Sequence, residues 1–171
     1  MQGSLGIGAN LNQWTPQDFV TATKMIAQYK SIRETIQRGL LYRIVSPEHD
    51  SEQSATEYVS RDGKQTVVFA FLHSSSEEYP FSRIYLRGLD ANAMYQVTAI
   101  DARLANGTPA KASGAYWMQV GIDIDLRGDF QAAAFTFERL ANSRHTPEPR
   151  PSAVAISLCR LVYPIHFRCG T

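Results

Sequence analysis

The sequence predicts a mainly β protein, an antiparallel β-sandwich preceded by one strand and one long helix. Three observations carry that prediction. The apolar period is helical from Pro16 to Arg38 and changes to two after Gly39. Short apolar runs then recur at fairly regular spacing to Leu140, separated by Gly, Asn, Asp and Pro clusters. Between two of these runs lies Asp62-Gly63, the strongest hairpin signal in the chain.

Leu5–Leu11 reads as a short buried strand of the parallel type, which needs neighbours on both sides. Gly3, Gly6 and Gly8 sit before and within it in the order G-x-x-G-x-G. A dinucleotide loop needs its glycines after the strand, opening a helix, so close backbone packing is the better reading. Thr15 then suits an N-cap, Pro16 the first helical position, and Asp18 the N3 position, where its charge favours the helix dipole. Phe19, Ala22, Met25, Ile26, Tyr29, Ile32 and Ile36 form one apolar stripe, and Gly39 is placed as the C′ residue. The predicted strands are LLYRIV (Leu40–Val45), TEYVS, KQTVVFAFLH, SRIYLRGL, MYQVTAID, WMQVGIDIDL and QAAAFTFERL. This divides the chain at 1–39, 40–140 and 141–171.

The last segment differs from the rest. It holds four of the eight prolines, both cysteines, four arginines and a single acid, Glu148. Its apolar run follows neither period, and it reads as a non-native or disordered tail. Cys159 and Cys169 make neither a disulfide framework nor a zinc spacing.

The formal net charge of +1 points away from a nucleic-acid partner, and no apolar run approaches the roughly 20 residues of a membrane span. No basic-then-apolar leader is visible, so a cytoplasmic location is expected. No cofactor is expected.

Four stretches resemble the C-terminal end of glycoside hydrolase family 36, the microbial α-galactosidases. They are LGIGANLNQW with the helix that follows, A-x-Y-K-x-I-R running into Q-x-G-x-x-Y-R, the RGLD stretch before the Tyr95 strand, and GDFQAAAFTFERL. The resemblance covers about Gly3 to Leu140. It implies that Leu5–Leu11 and Pro16–Arg38 are the last strand and helix of a (β/α)8 barrel whose remainder lies outside this chain. It also implies retaining removal of terminal α-galactose by the whole enzyme. That reaction needs two carboxylates about 5–5.5 Å apart. The family supplies them from earlier barrel strands, one in a K-W-D-x-N motif. No K-W-D occurs here, so no catalytic residue is assigned and the chain alone is expected to be inactive. Its implied partner is the missing barrel, and any α-galactoside is met only through that barrel. The unpaired helix face would favour self-association.

Trp14 follows the first strand at the end where barrels bind substrate, with Asn10 and Asn12 nearby, and is the candidate substrate-binding residue. It could equally pack on Phe19 as a staple. Asp123 and Asp125 would share one strand face roughly 6.5–7 Å apart, as a solvent face opposite Ile122, Ile124 and Leu126 rather than an acid/base pair or calcium site. His49 and Asp50, with Glu48 and Glu52, have no metal-ligand spacing. His73 reads as structural or exposed. Ser74-Ser75-Ser76 reads as loop, and Asn106-Gly107-Thr108 as a turn rather than a glycosylation site. A rival reading is a freestanding carbohydrate-binding sandwich, with Tyr58, Tyr79, Tyr85, Tyr95, Tyr116 and Trp117 as its aromatics.

Overall fold

The computed structural model describes residues 3–46, 53–74, 83–100 and 102–141. Met1–Ala141 forms one compact unit. The remainder, Asn142–Thr171, lies outside the described residues, and with it the expected tail and both cysteines. His49, Asp50, Ser75, Ser76 and Tyr79 also lie outside them.

The long helix, α1, spans Pro16–Arg38 as the stripe predicted. Its start is a complete capping box: Asp18 N donates to Thr15 Oγ1 at 3.3 Å, and Thr15 N donates to Asp18 Oδ2 at 2.8 Å. Asp18 does the work usually given to Glu or Gln at this position. At the other end Gly39 caps the helix in extended backbone (φ −74°), not in the left-handed form expected of a C′ glycine. Glycine is required there for a different reason. A Cβ would stand 2.3 Å from the Thr35 carbonyl oxygen and 2.4 Å from that of Val59, because the chain turns directly from helix into sheet.

Six strands follow: β1 (Leu40–Val45), β2 (Gln53–Val59), β3 (Gln65–Leu72), β4 (Met94–Ile100), β5 (Lys111–Ser113) and β6 (Gln131–Arg139). They form one antiparallel sheet in the order β1-β2-β3-β6-β4-β5. The last strand thus enters the middle, pairing Leu72 with Gln131 and Gln65 with Glu138 on one side, and Val97 with Phe137 on the other. Asp62-Gly63 turns the β2–β3 hairpin, with Gly63 at φ 67°.

Each face of the sheet carries a core. On one, Ile32 and Ile36 of α1 pack on Val67, Phe69 and Ile100. On the other, Ala55, Val68, Ala70, Tyr95, Val97, Ala133, Phe135 and Phe137 meet a second layer built from Ile84, Leu86, Leu89, Trp117, Ile122 and Ile124. The architecture is mainly β and antiparallel with one long helix, and the second layer departs in detail from the predicted strands. It is held by two isolated bridges, Ile84 with Ile122 and Leu104 with Ile124. The predicted strand WMQVGIDIDL opens inside a helix: α2 spans Gly114–Gln119 and takes in Trp117, Met118 and Gln119, started by Ser113 Oγ accepting from Tyr116 N at 3.2 Å. Gly121 (φ 81°) then returns the chain to extended form for Ile122 and Ile124.

Leu5–Leu11 forms no strand. Residues 3–10 pair with no strand among the described residues, and Leu11–Gln13 is a single 3-10 turn. Gly6 and Gly8 have nothing within 4 Å of where a Cβ would sit, so no close packing holds them in this chain. Strand geometry is imposed by neighbouring edges, and the six-stranded sheet does not extend to this segment.

Candidate functional site

The sequence candidate, Trp14, precedes the N-cap, and Phe19 is the fourth helical residue. Their rings meet edge to face at 5.1 Å, which is a hydrophobic staple. Trp14 N donates to Leu11 O, and Asn10 Oδ1 accepts from Asn12 N at 3.1 Å. Both asparagines are exposed. The leading segment is tied back to α1 by Tyr29, whose hydroxyl donates to Gly3 O at 2.7 Å and accepts from Gln37 Nε2 at 3.0 Å.

The apolar stripe of α1 is only half used. Ile32 and Ile36 are buried against the sheet, Tyr29 is also buried, Ala22 and Ile26 are half-buried, and Phe19 and Met25 are exposed. Val20 is 62% exposed, and Ile7 and Leu11 of the leading segment are about half exposed. Apart from the Trp14–Phe19 contact, the N-terminal half of α1 and the segment before it therefore present exposed apolar side chains, Val20, Met25, Ile7 and Leu11. A face of this kind marks an interaction surface.

No described group is arranged for acid/base chemistry. Asp123 is gripped by Arg83 through both oxygens, at 2.7 Å from Nε and 2.6 Å from Nη2. Asp125 is held by Arg127 Nε at 2.8 Å. The hydrogen bonds and charge of Asp123 raise the pKa of Arg83 further. Ile122 and Ile124 are buried beneath them and Leu126 is half-buried, so the two aspartates do form the outward face. Among the described residues no group of three His, Cys, Asp or Glu side chains could hold a metal ion. His73 is exposed, and its carbonyl accepts from Phe130 N. Among the described residues, the aromatics of the rival reading do not make a platform. Trp117 and Tyr95 are buried, Tyr58 and Tyr116 are half-buried, and Tyr85 stands exposed.

The residue that pattern reading missed is Glu57. It occupies a polar slot in β2, yet its side chain is on the buried face with Ala55 and Val59 and has no solvent exposure. Its carboxylate accepts from Arg87 N at 2.8 Å and from Gly88 N at 3.1 and 3.3 Å. It thereby clamps the RGLD loop to the sheet. Gly88 allows this approach, since a Cβ there would lie 2.5 Å from Val59 Cγ2 and 2.8 Å from Tyr42 Cε2. The same loop is tied by Asp90, whose N–H donates to the Tyr95 hydroxyl and whose Oδ2 accepts from Arg139 Nη2 at 2.9 Å. Burial pushes the Glu57 carboxyl above its ordinary value, against the pull of the two amides and of the Arg87 charge. RGLD carries the resemblance in the sequence; its partner Glu57 needs the fold to be seen.

A polar groove of about 480 Å3 lies where α1 ends, lined by residues that include Thr35, Arg38, Arg61, Lys64 and Gln65. Its groups are bonded to one another. Gln65 Nε2 donates to Ser31 O and Glu138 Oε1, Thr35 donates to Gln65 Oε1, and Arg61 Nε donates to Arg38 O. It is a seam between helix and hairpin.

Residues 53–137 match the family model of the glycosyl hydrolase family 36 C-terminal domain. This chain carries the C-terminal domain of that family. The match with whole relatives runs further than the domain. A probable α-galactosidase C of Aspergillus terreus is 30% identical over 82% of this chain. α-Galactosidase 1 of Pediococcus pentosaceus is 34% identical over 82% of it. The crystal structure of the Lactobacillus brevis α-galactosidase superposes on 80% of the chain with a TM-score of 0.66 and 26% identity. In each case the chain spans only 17 or 18% of the relative's length.

Proposed function

We propose that this family 36 chain is the C-terminal part of an α-galactosidase, and that its work there is structural. In this reading a (β/α)8 barrel preceding Gly3 carries both catalytic carboxylates and performs the retaining hydrolysis of terminal α-galactosides. Leu5–Leu11 and α1 complete that barrel, and the sheet supports it. The observation that carries the reading is the similarity to α-galactosidases over 82% of this chain against 17% of theirs. The half-used stripe of α1 supports it, because Phe19, Val20 and Met25 are where a preceding domain would pack. Trp14 would then stand at the rim of the substrate site, with the staple to Phe19 fixing its ring beside a sugar.

The test is the DNA upstream of Met1. A reading frame that encodes a barrel with K-W-D-x-N, ending just before Gly3, supports the proposal. An unrelated gene closed by its own stop codon overturns it. Calorimetry of the purified chain with galactose and raffinose separates the rival. No heat is expected, and saturable binding without hydrolysis would make the chain a carbohydrate-binding module.

A further inference from the structure

Two Asx-Gly pairs lie in exposed turns, and the structure treats them oppositely. At Asp62-Gly63 every reactive group is occupied. Gly63 N donates to Ser60 O at 2.9 Å, and Asp62 Oδ1 accepts from Ser60 Oγ and Lys64 N. Lys64 Nζ stands 3.1 Å from Asp62 Oδ2. These bonds hold the Asp62 carboxyl down at about 2, so it is a carboxylate at neutral pH and a poor electrophile.

Asn106-Gly107 has none of this protection. Both residues are exposed. The turn is closed by one bond, Thr108 N to Ala105 O at 3.1 Å. With Gly107 at φ 88° and Asn106 outside the left-handed region, it is a type II turn. Among the described residues, neither the Asn106 side chain nor Gly107 N has a hydrogen-bond partner. No side chain shields Gly107, since nothing lies within 4 Å of where its Cβ would be.

We propose that Asn106 is a spontaneous modification site, converted by water through a succinimide into aspartate and isoaspartate in the folded protein. Hydroxide removes the Gly107 amide proton, and the nitrogen attacks Asn106 Cγ. The new C–N bond forms as the Cγ–Nδ2 bond breaks, and Nδ2 leaves as ammonia after taking a proton from water. Water then opens the ring at either carbonyl, giving aspartate from one and isoaspartate from the other. No oxidant or enzyme is needed. The product places a new carboxylate beside Asp125 in the shallow cleft of Leu104, Ala105, Ile124 and Arg127. The isoaspartate form also lengthens the backbone by one carbon just after the Leu104–Ile124 bridge.

The test is incubation of the folded chain in 18O water at mildly alkaline pH, followed by peptide mass spectrometry. Heavy oxygen is expected in the Asn106 peptide, faster as pH rises, and not in the Asp62 peptide. In denaturant both peptides should take up label. Gly107→Ala should slow the Asn106 reaction, since a Cβ beside the attacking nitrogen hinders ring closure. Asn106 keeping its amide in the folded chain while losing it in denaturant would overturn the proposal. Equal labelling of both peptides in the folded chain would overturn it as well.

Discussion

Replacing Glu57 with alanine removes the clamp on the RGLD loop and leaves two part-buried amides, Arg87 N and Gly88 N, without their acceptor. An unsatisfied buried donor costs about 1–3 kcal/mol, and with both amides only part-buried the combined loss is about 1–3 kcal/mol. Relief from burying the carboxylate works in the opposite direction and pulls the result toward the lower part of that range. Against a total of about 5–15 kcal/mol for a domain, this is a large fraction. Glu57→Gln keeps one acceptor oxygen but turns an NH2 toward the amides, and should fall between wild type and alanine. Urea denaturation reads the difference as a shift in midpoint at unchanged slope. The pH dependence separates the charge from the packing. The folded pKa of Glu57 lies above its ordinary 4.5. Its favourable contribution is therefore complete below 4.5 and is lost as pH rises through the folded value. Glu57→Gln should flatten that part of the stability profile. A Glu57→Ala chain no less stable than wild type would refute the clamp, because two part-buried amides would have lost their acceptor at no cost.

Gly39→Ala should destabilise the fold by about 1–3 kcal/mol, since its Cβ would press on two backbone carbonyls; thermal unfolding measures this. Asp18→Asn weakens the capping box and should lower helix content by circular dichroism. The hydrogen bonds from Thr15 hold the Asp18 pKa below 3.8, so wild type should lose this contribution as pH falls through the folded value, and the variant should not. Val20→Asp combined with Met25→Lys should shift the chain toward monomer in sedimentation velocity, because both are exposed apolar residues in the N-terminal half of α1; unchanged association would place the contact elsewhere.

Local chemistry alone determined much of this protein. The cap at Thr15, the stripe to Ile36, the change of period at Gly39 and the Asp62-Gly63 turn place α1, β1, β2 and β3 near their observed bounds. Each of these signals lies within a few residues of the structure it specifies. The family resemblance was legible for the same reason, in short contiguous stretches.

Tertiary structure decided the rest. That β6 enters between β3 and β4 is a long-range pairing that no local pattern announces. That Glu57 points inward depends on amides 30 and 31 residues away. WMQVGIDIDL alternates well enough for a strand, yet just before it Ser113 caps a helix and Gly114 brings the backbone against Asp90 O, where a Cβ would lie 2.0 Å away, so its first three residues are helical. Leu5–Leu11 shows the converse. Its sequence is that of a strand, but a strand is completed by hydrogen bonds to a neighbouring edge, and among the described residues it has none.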